Sequence, residues 1–246
     1  MHAGGRYFRI SAFTHLFVMA APRYVWRQLT SQQQDELLRW RKHQGRPWHW
    51  PPHRVATDAG EREFLISAAC YEHAPSIGFS LERMEQFSVS LLAAAMEGNA
   101  GPGPRAGAGI GANALAASSA AVRAWCVLPN HYHLLVATTD VALVLKALGQ
   151  LHGRSSYRWN GEEKWRGRQV FHGAAEREMR SCRHFFATLN YVHHNPVHHG
   201  YVERWSDWRW SSASEYVERT GEAEVTRIWK AYPLLGYGAT WDAAEV

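Results

Sequence analysis

The residues best placed to do chemistry sit in two short stretches. In "WCVLPNHYHLLVATTD", residues 125–140, His131 and His133 flank Tyr132 just after a proline-asparagine turn. With 15 histidines in 246 residues, roughly 0.9 such spacings are expected in a shuffled chain, so the spacing alone decides little. The setting decides more. An apolar run, a turn and a second apolar run of strand length predict strand, tight turn, strand. Alternation then points His131 and His133 to one face and Tyr132 and Leu134 to the other, and two imidazoles on one face can share an ion. In "NYVHHNPVHHGYV", Tyr191 and Asn195 are four residues apart, one helical turn from each other on one face. A tyrosine hydroxyl attacks phosphorus once a divalent cation manages the phosphate charge. The Asn195 carbonyl oxygen and the two imidazoles together suit Mg²⁺ or Mn²⁺.

Rival chemistry comes from the same segment. His193, His194, His198 and His199 crowd the tyrosine helix and could instead form a zinc cluster of a hydrolase, or serve as surface residues and phosphate contacts. Alternation turns Tyr132 away from its histidine neighbours, which makes it a poor nucleophile, and Tyr201 beyond Gly200 reads as packing. Trp205, Trp208 and Trp210 read either as base-stacking groups or as a hydrophobic clasp after the helix.

The elements that must position these groups follow from pattern. Thr30 or Ser31 caps a helix running to about Lys42, with a basic and aromatic exit. Residues 62–72 read as a strand, and "SLERMEQFSVSLLAAAMEG" as an amphipathic core helix capped by Ser80. Residues 98–120 are Gly/Ala/Ser/Pro-rich with almost no charge and read as a flexible insertion. After the histidine strand pair, Thr139 or Asp140 caps a second helix. A third helical pattern carries Phe185, Leu189 and Val192, interrupted at Asn195-Pro196 and stopped by Gly200. Antiparallel strands with helices packed on one face make the fold α+β.

Composition bounds the partners. The chain is 46% hydrophobic and 20% charged, which suits a globular protein with one substantial core and excludes a membrane-spanning class. "RYFRISAFTHLFVMAAP" mimics a signal peptide, but Thr14 and His15 break its apolar centre, and Met19 is an alternative start. Cys70, Cys126 and Cys182 lack metal or disulfide spacing, read as packing residues, and fit a reducing cytoplasm. A net charge of +5 favours a polyanion. Between Lys146 and Arg183, cations alternate with aromatics in "RSSYRWNGEEKWRGRQVFH". Cations that neutralise phosphates beside rings that stack on bases are what single-stranded nucleic acid binding needs; a solvated loop with its aromatics anchored in the core is the other reading.

Together, "LPNHYHLL" and "NYVHHNPVHHGYVERWSDWRWSSASEY" resemble the single-tyrosine HUH transposases of the IS200 type, especially the REP-associated tyrosine transposases. The family's His-hydrophobe-His signature falls on His131, Tyr132 and His133. Its nucleophile four residues before Asn-Pro falls on Tyr191, and its third metal ligand on Asn195. The family's basic tryptophan stretch resembles "KWRGRQVFHGAAER". The resemblance covers about residues 62–216. It implies a ferredoxin-like sheet with the catalytic tyrosine on a helix, and a divalent metal, Mg²⁺ or Mn²⁺, held by His131, His133 and Asn195. It also implies nicking of single-stranded DNA at hairpin-associated sites through a 5′-phosphotyrosine at Tyr191, in a cytoplasmic or nucleoid setting. Arg154, Arg158, Lys164, Arg166 and Arg168 become the candidate DNA backbone contacts. On this reading the partner is single-stranded or hairpin DNA and no membrane, and the enzyme works as a monomer or homodimer. Residues 1–60 form an N-terminal extension, 61–216 the HUH domain and 217–246 a C-terminal tail. A DNA-binding module with an idle catalytic face, or one domesticated by its host, is the alternative.

Overall fold

The computed structural model of the chain describes residues 30–43, 60–97 and 121–234. The expected insertion at 98–120 lies outside them, as does most of the N-terminal extension. Helix α1 spans Ser31–His43, and Thr30 Oγ1 accepts from the backbone N–H of Gln33, as a cap should.

The remaining order is β1 (Arg62–Ala69), α2 (Leu81–Glu97), β2 (Ala121–Val127), β3 (His131–Thr138), α3 (Val141–Glu162), β4 (Ala175–Glu178) and α4 (Cys182–His198), then α5 (Ala213–Thr220) and α6 (Glu222–Ala231). The four strands form one sheet in the order β2-β3-β1-β4, every neighbouring pair antiparallel. A β-α-β-β-α-β path in that order is the ferredoxin-like arrangement. Sequence dictates its parts. Ser80 Oγ accepts from the Arg83 N–H at the start of α2, and Asp140 Oδ1 accepts from Ala142 and Leu143 N–H at the start of α3. β3 is buried along its whole length, as a central strand covered on both faces must be.

Three details differ from the sequence reading. Helices α2 and α3 share one face, but α4 covers the other: Tyr132 on β3 meets Phe87 and His152 on the first side, while its neighbour His133 meets Tyr191 on the second. An α+β sheet whose strands are apolar on both faces needs cover on both. Helix α4 also runs through Pro196 without interruption. Only one backbone hydrogen bond is lost to the proline, and it falls in the last turn. The stop is at Gly200, whose φ of 71° permits a closing motif in which Tyr201 N–H bonds Pro196 O and Gly200 N–H bonds Val197 O.

Thirdly, residues 217–231 are no tail. In α5 and α6, Tyr216, Val225 and Ile228 turn a buried stripe inward, and Asn190 Nδ2 donates to Tyr232 O at 2.9 Å. Helical spacing of apolar residues carried that information. The tryptophans after α4 take the clasp role: Trp208 and Trp210 are buried, Trp208 Nε1 donates to Val127 O, and Val127 N–H bonds Trp210 O, closing the outer edge of β2. Cys70 and Cys126 are packed inside, whereas Cys182 is exposed at the first turn of α4. Among the described residues no helix is long and apolar enough to cross a membrane.

Candidate active site

The site forms where one end of β3 meets the last turns of α4. Alternation along β3 turns His131 and His133 toward α4, and the four-residue helical repeat stacks Tyr191 and Asn195 on the face that meets them. His131 Nε2 lies 3.0 Å from Asn195 Oδ1, and His133 Nε2 lies 3.3 Å from the Tyr191 hydroxyl. The two imidazoles are edge to face, their centroids 5.1 Å apart. All four side chains are buried.

Local hydrogen bonds fix what these groups offer. Asn130 Nδ2 donates to His73 O, which turns Asn130 Oδ1 toward His131 Nδ1 at 2.8 Å. An acceptor at Nδ1 requires the proton there, leaving the His131 Nε2 lone pair aimed at Asn195. Asn195 Oδ1 is also an acceptor, and Asn195 Nδ2 is buried with no hydrogen-bond partner. Turning the amide would let Nδ2 donate to His131 but orphan the oxygen instead, so one buried polar atom is left over either way. A divalent cation shared by His131 Nε2 and the Asn195 carbonyl would resolve the opposed lone pairs, so the residues present fit such a group. Ser67, directly across from His133 on β1, places its hydroxyl 2.6 Å from His133 Nδ1. When Nδ1–H donates to Ser67, His133 Nε2 faces Tyr191 as a bare lone pair. Nothing in the sequence distinguished Ser67; only the β1–β3 register brings it in.

The other histidines divide, with His198 and His199 kept together at ring centroids 5.0 Å apart and His193 and His194 turned elsewhere. His193 is buried against Trp205 and Ser212, and burial lowers its pKa to about 3. His194 lies against Trp229, on another side of the helix. His199 is exposed, with its ring 4.9 Å from His131, and marks the rim of the site. Among the described residues no group of three His, Cys, Asp or Glu side chains is placed to hold a metal, which removes the geometric basis of a histidine-cluster zinc hydrolase. Tyr132 is wholly buried on the other face, where burial pushes its hydroxyl pKa far up.

The candidate DNA contacts separate as well. Arg154, Lys164 and Arg166 are exposed, and Arg158 is exposed with Glu162 at 3.5 Å. Arg168 is half-buried and tied to Glu163 at 2.8 Å and to Asn160 Oδ1. Arg83, 6% exposed, completes that cluster with Glu162 and Glu163. Burial would raise the Glu163 pKa, but hydrogen bonds and charge from Arg168 and Arg83 outweigh it and hold the carboxyl below its ordinary range.

No family model matches the chain, and no curated protein matches it. Among solved structures, it is similar to a REP-associated tyrosine transposase bound to a REP hairpin, at 15% identity with a TM-score of 0.47, over 68% of this chain and 85% of that one. It is also similar to a Deinococcus radiodurans R1 protein designated a transposase, at 14% identity with a TM-score of 0.33, over 51% of this chain and 84% of the other.

Proposed function

We propose that this chain is a metal-dependent, single-tyrosine endonuclease and strand transferase acting on single-stranded DNA at hairpin-associated sites. The observation that carries the reading is the pairing across the β3–α4 junction: Tyr191 against His133, and Asn195 against His131 with a leftover buried amide atom. The resemblance of both motifs to HUH transposases supplies the reaction class.

In this reading the Tyr191 oxygen attacks the scissile phosphorus. An O–P bond to tyrosine forms as the Tyr191 hydroxyl gives up its proton, the bond from phosphorus to the 3′ oxygen breaks, and that oxygen takes up one proton to leave as the 3′-hydroxyl, so bonds and protons balance. His131, His133 and Asn195 would hold a divalent cation, which would supply neutralisation of the phosphate charge as tyrosine attacks. Asn130 and Ser67 keep the two imidazoles turned with Nε2 toward the reacting centre. The buried setting strengthens each of these polar contacts. Because the phosphodiester is exchanged for a phosphotyrosine ester, a free 3′-hydroxyl can reverse the step and rejoin strands without a nucleotide cofactor.

The test is a denaturing gel of the full chain with Mn²⁺ and labelled single-stranded hairpin oligonucleotides. Wild type should give a covalent protein–DNA adduct, and Tyr191→Phe should give none while still binding the oligonucleotide. Binding without an adduct in wild type, across a broad panel of hairpins, would instead establish the idle binding module.

A further inference from the structure

The basic aromatic stretch held two readings, and the structure divides it between them. Trp159 and Phe171 are core residues, but Tyr157 is 73% exposed and Trp165 is 46% exposed. Large aromatic rings with exposed area at the end of one basic stretch mark a surface that a partner can cover.

Their position is set by the course of α3. α3 runs back along the sheet from the far end of β3: His152 meets Tyr132, next to His131, and Trp159 further along meets Phe171, which bridges Cys70 just past the end of β1. The end of α3 therefore lies at the same end of the sheet as the tyrosine site, on the opposite face. The same end gathers the residues with left-handed backbone: Glu72 and His73 after β1, and Lys164 after α3, at φ of 53°, 52° and 53°. Such backbone is costly and collects where loops are held for function.

The charge around the rings suits one kind of partner. The Arg166 guanidinium lies over the Tyr157 ring at 4.5 Å and is pinned by a 2.7 Å bond to Tyr157 O. Arg168 lies over the Trp165 ring at 4.9 Å, itself held by Glu163 and Asn160. Arg154, Arg158 and Lys164 add positive charge to this rim, while Glu162 and Glu163 are bound up with Arg83, Arg158 and Arg168. Planar rings beside fixed guanidinium groups recognise a ligand with exposed π-faces on an anionic backbone. Duplex DNA hides its base faces in the stack; single-stranded DNA offers them.

We infer that Tyr157 and Trp165 form a base-stacking platform for unpaired nucleotides of single-stranded DNA, with Arg154, Arg158, Lys164 and Arg166 contacting its phosphates. This rests on the DNA-processing reading above, and places a second binding surface behind the sheet end that holds Tyr191. A strand seated there would be fixed beyond the cut site, so that the platform sets how tightly unpaired flanking DNA is held.

The experiment is fluorescence anisotropy of the full chain with a labelled oligo-dT and with a blunt duplex of equal length, at one fixed salt concentration. Tyr157→Ala and Trp165→Ala should each weaken oligo-dT binding by about 5- to 150-fold, the equivalent of 1–3 kcal/mol per stacked base. Tyr157→Phe and Trp165→Phe keep a ring and should stay within about threefold of wild type, with duplex affinity unchanged in all four. Alanine variants that bind oligo-dT as wild type does, or lose duplex binding equally, overturn the platform. If wild type still forms its Tyr191 adduct in that event, the catalytic reading stands alone. If wild type neither binds oligo-dT nor forms an adduct, both are overturned.

Discussion

Asn195→Leu tests the metal fit through stability rather than activity. Asn195 is 0% exposed, its Oδ1 opposes the His131 lone pair at 3.0 Å, and its Nδ2 has no partner. A buried polar atom without a partner costs about 1–3 kcal/mol. Leucine of similar volume removes that orphan and adds apolar contact, but leaves His131 Nε2 facing a methyl group, a cost of the same order. In EDTA the two nearly cancel, and the variant should melt within about 1 kcal/mol of wild type. In Mn²⁺ at a hundredfold excess over its Kd, binding to the folded state adds about 2.7 kcal/mol to wild type. At about 2–4 °C per kcal/mol for a domain of this size, that is a rise of roughly 5–11 °C. Asn195→Leu should lose most of this rise. The assay is a pair of thermal melts for each protein, in EDTA and in MnCl₂. Equal Mn²⁺ shifts in both proteins would refute Asn195 as a ligand, and an absent shift in wild type would refute the site itself.

Two further outcomes follow from the geometry. A methyl group added at Gly78 would sit 2.4 Å from Pro129 Cβ and 2.8 Å from its Cα, so Gly78→Ala must push the turn that carries Asn130; it should destabilise by about 1–3 kcal/mol and reduce adduct formation, checked by urea unfolding and the gel assay. Burial holds His152 neutral with its pKa lowered from 6.5 to about 4, while the unfolded chain protonates it near 6.5. Between those values the unfolded state binds more protons, so this contribution is present at neutral pH and lost as pH falls from about 6.5 to 4, by up to about 3 kcal/mol. The melting temperature of wild type should therefore fall more steeply over that range than that of His152→Gln, and parallel curves would count against it.

How far sequence carried the fold is clearest in β3 and α4. Two-residue alternation put His131 and His133 on one side and Tyr132 on the other, and four-residue spacing put Tyr191 above Asn195, because these are local periodicities of strand and helix. The structure bears both out. Capping by Ser80, and by one of Thr139 and Asp140, was legible because a cap is satisfied within three residues; the structure selects Asp140. Pro196 misled because a proline's cost depends on which carbonyl loses its bond, and here that falls in a terminal turn.

What only the tertiary structure decided are the contacts between residues distant in sequence. The β1–β3 register sets Ser67 on His133, and the loop after β1 brings His73 O to Asn130, which in turn fixes the His131 tautomer. Burial decided the aromatics: Trp159 and Tyr157, two residues apart on one helix, ended in the core and in water because α3 turns one stripe to the sheet and the other away. A one-dimensional pattern specifies what each residue presents along its own element; which element it meets is settled by how the sheet is ordered and covered.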